Sequence, residues 1–107
     1  MEQKQLRRIL RALQKELKKA LDERVEKVIL YGSQARGDAR NDSDIDVLIV
    51  LKDDFKYGAM LKKTSRAVAQ LSLDNDVVIS RAFATRQQYE RSQMPFLMNV
   101  RREGIAI

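Results

Sequence analysis

The chain has 107 residues, 21 Lys and Arg against 15 Asp and Glu, a net charge of +6, and neither cysteine nor histidine. That length predicts one domain, residues 1–107, with one modest core and no room for a large substrate lobe. The missing residue types exclude disulfides, thiolate catalysis, Cys-type zinc sites and the commonest general base, so any chemistry rests on carboxylates, Lys and Arg, hydroxyls and backbone groups.

The N-terminal "MEQKQLRRILRALQKEL" is amphipathic and mixed in charge, unlike a signal peptide. No apolar run approaches a membrane span, so no membrane contact and a cytoplasmic location are expected. Leu6, Ile9, Leu10, Leu13, Leu17 and Leu21 recur at helical spacing and predict a long amphipathic helix over roughly 2–22. "VEKVILYGS" reads as a strand ended by Gly32. "QARGDARNDS" is small and polar, a loop or a short helical turn and loop. "DIDVLIVL" is a second strand, and residues 55–72 form a second long helix. "DVVIS", Asp76 to Ser80, is a third strand, followed by a short helix at 85–92. Pro95 opens a last helix that Gly104 closes, and "IAI" is a short terminal strand. Alternating helices and strands predict an α/β or α+β domain with one small sheet packed by helices.

Charge is uneven: both ends are basic and the middle is slightly acidic. A basic surface can attract nucleic acid, nucleotides or an acidic protein, but a solvated helix face is the commoner origin of such charge. Few aromatics and no recognised binding motif make direct nucleic-acid binding the weaker reading.

Two aspartates open the second strand. Asp44 and Asp46 are two apart, so their side chains share a face, roughly 6–7 Å apart along the strand. Ile45, Val47 and Ile49 take the opposite face with the core. Like charges side by side repel, and a divalent cation repays that cost. With carboxylates alone as ligands, the cation is a hard one such as Mg²⁺. Taken alone, the pair also fits an exposed strand start facing water. Gly32 and Ser33 add a second element: a position without a side chain at a strand end, and a hydroxyl with backbone N–H groups that a phosphate accepts from. Together the two elements can hold a nucleoside triphosphate with its Mg²⁺, without a P-loop or a GxGxxG. A third carboxylate would complete a two-metal site. Asp53 and Asp54 lie at the far end of the second strand, Asp76 opens the third as Asp44 opens the second, and Asp74 is the fallback.

"GSQARGDARNDSDID" resembles the signature of the minimal nucleotidyltransferases of the DNA polymerase beta superfamily: Gly-Ser, ten residues, then Asp-x-Asp. Gly32, Ser33, Asp44 and Asp46 fill it, with Ala35-Arg36-Gly37 and Ser43 also in their usual places, and the similarity covers Val25 to Ser80 well. The resemblance implies the nucleotidyltransferase fold, a mixed sheet with helices packed on it. It implies nucleotide contacts from Gly32, Ser33, Arg36 and Ser43, with ATP as substrate. It also implies Mg²⁺ on Asp44 and Asp46, and Asp76 as the third ligand of a two-metal site. Arg36 and Arg40 neutralise phosphates or are solvated loop arginines. A stand-alone chain this short is similar to the antitoxin half of HEPN–minimal nucleotidyltransferase toxin–antitoxin modules. There the implied role is AMP transfer from ATP to a tyrosine of the HEPN ribonuclease toxin, which is also the expected partner in a hetero-oligomer. The alternatives are the same chemistry on a small molecule or an RNA end, and a binding-only antitoxin without catalysis.

Overall fold

A computed structural model describes residues 1–40 and 43–107; Asn41 and Asp42 of the predicted loop lie outside the described residues. Four strands form one mixed sheet in the order β3-β2-β1-β4: β1 Val25–Tyr31, β2 Ile45–Leu51, β3 Ile79–Thr85 and β4 Ile105–Ala106. β1 runs antiparallel to both β2 and β4, and β2 runs parallel to β3. Among the described residues the α-helices are α1 Gln3–Leu21, α2 Ser33–Arg36, α3 Tyr57–Asn75, α4 Arg86–Arg91 and α5 Pro95–Glu103, with a 3-10 turn Asp22–Arg24 between α1 and β1. This is the small mixed sheet packed by helices that the sequence predicts.

The two faces of the sheet are covered unequally. On one face α1 lays down its whole leucine stripe, and Leu13 and Leu17 are completely buried. Met60, Thr64 and Val68 of α3 join it over Val28, Leu30, Val47, Ile49 and Leu51. Each such leucine or isoleucine removed from water stabilises the fold by about 1.5–3 kcal/mol, so most of the apolar stabilisation lies here. The other face holds a smaller cluster of Ile29, Leu48, Val50, Ala84, Leu97 and Val100, covered by the short α4 and α5. Thr85 starts α4 with a capping box: its hydroxyl accepts from Gln88 N–H at 3.0 Å, and Thr85 N–H donates to Gln88 Oε1 at 2.9 Å. Arg101 on α5 donates to the carbonyls of Tyr89 and Ser92, both at 2.7 Å, which ties α5 to α4.

β2 is central and buried at every position except Asp46. Its alternation is therefore hidden by burial on both faces, as in a strand covered by helices on each side.

The third strand differs from the sequence expectation. "DVVIS" reads as a strand from Asp76, but α3 continues through Asn75 and Asp76 terminates it in the left-handed conformation, φ 51°. Val77 N–H returns to the Ser72 carbonyl at 3.1 Å, the bond that closes a helix of this kind. Asp76 is thus a helix terminator three residues ahead of β3, and the expectation that it opens the strand is corrected. Asp74 and Asn75 form the last residues of α3.

Candidate functional site

The site lies where β1 ends and β2 begins, two antiparallel neighbours whose opposite ends therefore meet. β1 runs out at Tyr31, and Gly32 takes φ +76°, a conformation that glycine adopts without strain. The chain then makes one helical turn, α2, in which the Gly32 carbonyl accepts from Ala35 and Arg36 N–H, each at 3.1 Å. Gly37, at φ +80°, ends that turn in the left-handed region. The alternative of a short helical turn followed by a loop is the one that forms.

Asp46 stands opposite Tyr31 on β1 and opposite Ser80 on β3, so these three share one face of the sheet. That face belongs to the smaller core, where Leu48 and Val50 follow on the same strand. The Asp46 carboxylate packs against Gly32: a Cβ on Gly32 would collide with Asp46 Oδ2. The missing side chain therefore serves two purposes, the positive φ and the close approach of a carboxylate. Asp44 is exposed beside it and Asp46 half-buried. Burial, then the neighbouring Asp44, pushes the Asp46 carboxyl above the usual carboxylate range, and Arg36 opposes this. An under-compensated pair of negative charges on one face, with oxygen donors only, fits a hard divalent cation.

The remaining candidates divide. Ser33 is the first residue of α2, next to Gly32. Arg36 pairs with Asp38 at 3.2 Å and with Glu103 at 3.3 Å. The Ser43 hydroxyl accepts from Arg40 N–H at 2.7 Å, its own N–H donates to the Arg40 carbonyl at 3.0 Å, and its carbonyl accepts from Gln34 Nε2 at 3.5 Å. Asp74 accepts from Gln70 at 2.8 Å on the exposed face of α3. Neither Asp74 nor Asp76 joins the pair into a triad: among the described residues no group of three or more His, Cys, Asp or Glu is placed to hold a metal ion. The described residues thus bring together Gly32, Ser33, Arg36, Asp44 and Asp46, and leave Asp76 at the helix end. They fit one cation, held by two carboxylates and completed by other oxygens.

Three neighbours escape the sequence reading. Tyr31 flanks Asp46 from β1 and meets Phe96 of α5 edge-to-face at 5.4 Å, and burial and then Asp46 push its hydroxyl pKa up. Ser80 flanks Asp46 from β3. Glu103, at the end of α5, accepts from Gly32 N–H at 3.3 Å. Strand register would have found the first two; Glu103 requires knowing that β4 pairs with β1.

Comparison with known proteins identifies the family and the fold. Residues 6–102 match the family described as "Nucleotidyltransferase domain". "Putative protein adenylyltransferase MJ0141" of Methanocaldococcus jannaschii is 35% identical over 72 residues, 67% of this chain and 72% of that protein. Among solved structures, "Structure of putative minimal nucleotidyltransferase" superposes with a TM-score of 0.58 at 28% identity, covering 92% of each chain. "Crystal structure of the toxin-antitoxin with AMP-PNP" superposes with a TM-score of 0.65 at 16% identity, covering 90% of this chain and 69% of that one, a likeness of fold. No helix of the described residues is long and apolar enough to cross a membrane. The matched family spans nearly the whole chain, and this protein belongs to it: it is a nucleotidyltransferase.

Proposed function

We propose that this protein transfers AMP from ATP to a hydroxyl of a partner protein, a tyrosine of a cognate HEPN ribonuclease toxin, and so acts as an antitoxin. One observation carries the catalytic part. The Asp46 carboxylate packs against the bare Cα of Gly32, which joins the Gly-Ser turn and the Asp-x-Asp strand into one site. The protein acceptor is supported by the relative named as a protein adenylyltransferase and by the fold likeness to a toxin–antitoxin protein.

In this reading Gly32 and Ser33 receive the triphosphate and Arg36 offsets its charge. Asp44 and Asp46 hold Mg²⁺. A cation held by these two carboxylates would supply electrostatic stabilisation of the charge that develops on the reacting phosphate. The acceptor oxygen bonds to the α-phosphorus, the bond from that phosphorus to the bridging oxygen breaks, pyrophosphate leaves, and the hydroxyl proton passes to solvent. No histidine is needed, because the pair and the cation supply the electrostatics. Ser43, bonded to Arg40 and Gln34, stands next to Asp44, and Asp76 ends α3. The acceptor hydroxyl sits on the partner.

The test is to incubate the protein with labelled ATP, Mg²⁺ and the protein encoded beside it. Label on a tyrosine of that protein, lost with Asp44→Asn or Asp46→Asn, supports the proposal. Full toxin neutralisation by both variants without labelling overturns it in favour of binding alone. Label on an RNA end or a small hydroxyl compound redirects it to that acceptor.

A further inference from the structure

We infer that Glu103 is a latch on the nucleotide turn, a carboxylate that occupies the anion seat made by Gly32 N–H and Arg36 until a phosphate of the nucleotide takes it. The inference rests on the nucleotide-site reading above and assigns a residue outside the signature to its regulation.

The contact is built by the fold. β4 pairs antiparallel with β1, Ile105 opposite Leu30 and Ala106 opposite Ile29. Gly104 alone separates the end of α5 at Glu103 from β4, so the pairing of β4 with β1 holds Glu103 close to the end of β1. Gly104 permits the close approach: a Cβ there would collide with Ile29 of β1 and with the Val100 carbonyl. Glu103 is therefore delivered to the turn by backbone geometry. Once there, Oε1 accepts from Gly32 N–H at 3.3 Å and from Arg36 Nη1 at 3.3 Å, and Oε2 accepts from the same nitrogen at 3.4 Å.

The chemistry of the seat points to phosphate. A backbone N–H and a guanidinium are the donors that phosphate oxygens accept from, and a carboxylate is the side chain closest to them in charge and acceptor geometry. Glu103 places a negative charge on the same turn that would receive the triphosphate. A triphosphate arriving on Gly32 and Ser33 meets that carboxylate as a like charge and competes with it for Arg36. The Glu103 side chain is 23% exposed, so it can turn out into water when displaced. Asp38 holds Arg36 Nε at 3.2 Å, which keeps the guanidinium in place while its other edge changes partner.

The experiment is calorimetric titration with ATP and Mg²⁺, without acceptor, of the wild type, Glu103→Gln, Arg36→Gln and the double variant. Gln keeps an acceptor for Gly32 N–H and removes the charge. Glu103→Gln is expected to bind about two- to fivefold tighter, the range of a partly exposed ion pair. The gain should recur with inorganic tripolyphosphate and disappear in the Arg36→Gln background. Should Glu103→Gln melt below the titration temperature, Glu103→Asp, one methylene too short to span both partners, is expected to show the same gain. Binding by the charge-removed or shortened variant equal to or weaker than wild type overturns the latch and makes Glu103 a prop for the turn. No binding by any of the proteins overturns the latch and the nucleotide-site reading together, whereas ATP binding by the wild type without a gain overturns the latch alone.

Discussion

The two faces of the sheet do different work. Under α1 and α3 the sheet is sealed by two nineteen-residue helices, and polar groups there are satisfied internally, as when the Thr64 hydroxyl donates to the Met60 carbonyl at 2.8 Å. Under α4 and α5 the cover is two short helices, and the face stays open at the end where Asp44 and Asp46 stand. Asp46 continues the row of Leu48 and Val50, yet it carries a charge at the place where the next apolar side chain would go. The sealed face supplies the stability that lets the open face keep two adjacent carboxylates.

The sharpest way to break this contrast is at Asp46. Asp46→Asn should lower AMP transfer about 10²–10³-fold, the scale of losing one preorganised electrostatic group, while the fold persists. In chelator the same variant should melt slightly above the wild type at neutral pH. The sign follows from the raised carboxyl pKa. A folded carboxyl that holds its proton more tightly than in the unfolded chain costs stability once it ionises. The gap between wild type and variant is therefore full above the raised folded value, and it closes as pH falls through that value and below the ordinary carboxylate range. Melting curves from neutral to acid pH check this, and a gap of the opposite sign would refute it.

Leu17→Ala attacks the sealed face. It should cost about 2–5 kcal/mol, read from denaturant unfolding, and leave nucleotide affinity unchanged in the protein that remains folded. Gly32→Ala tests the seam between the two regions. A Cβ at this backbone conformation, φ 76° and ψ −159°, which is essentially confined to glycine, costs about 1–3 kcal/mol, and this one also displaces the Asp46 carboxylate, so stability and activity should fall together. The smallest effect is expected at Asp76: Asp76→Asn, which tolerates the left-handed cap, should change transfer less than about twofold because it lies outside the carboxylate pair. A loss as large as that of Asp46→Asn would return Asp76 to the site.

Much of the site was legible because its signal is local. Alternation along a strand puts Asp44 and Asp46 on one face whatever the rest of the chain does, and a glycine after an apolar run marks a turn whatever lies opposite. The α1 stripe was legible for the same reason: six apolar positions at helical spacing admit one buried face, and the helix observed differs from the expected one by a residue at each end. Asp76 was misplaced because helix termination depends on the φ that a residue adopts, and a polar run ahead of β-branched residues reads equally as turn or as helix end.

The sequence by itself determined which residue types were available for chemistry and that a Gly-Ser turn precedes a two-carboxylate strand. Periodicity and spacing are properties of neighbouring residues and need no partner. Only the tertiary structure decided that the Asp46 carboxylate rests on Gly32, that Tyr31 and Ser80 flank it, and that Glu103 reaches the same turn from 71 positions away. These contacts depend on strand order and register, which the packing of the whole sheet fixes and no local stretch of sequence encodes.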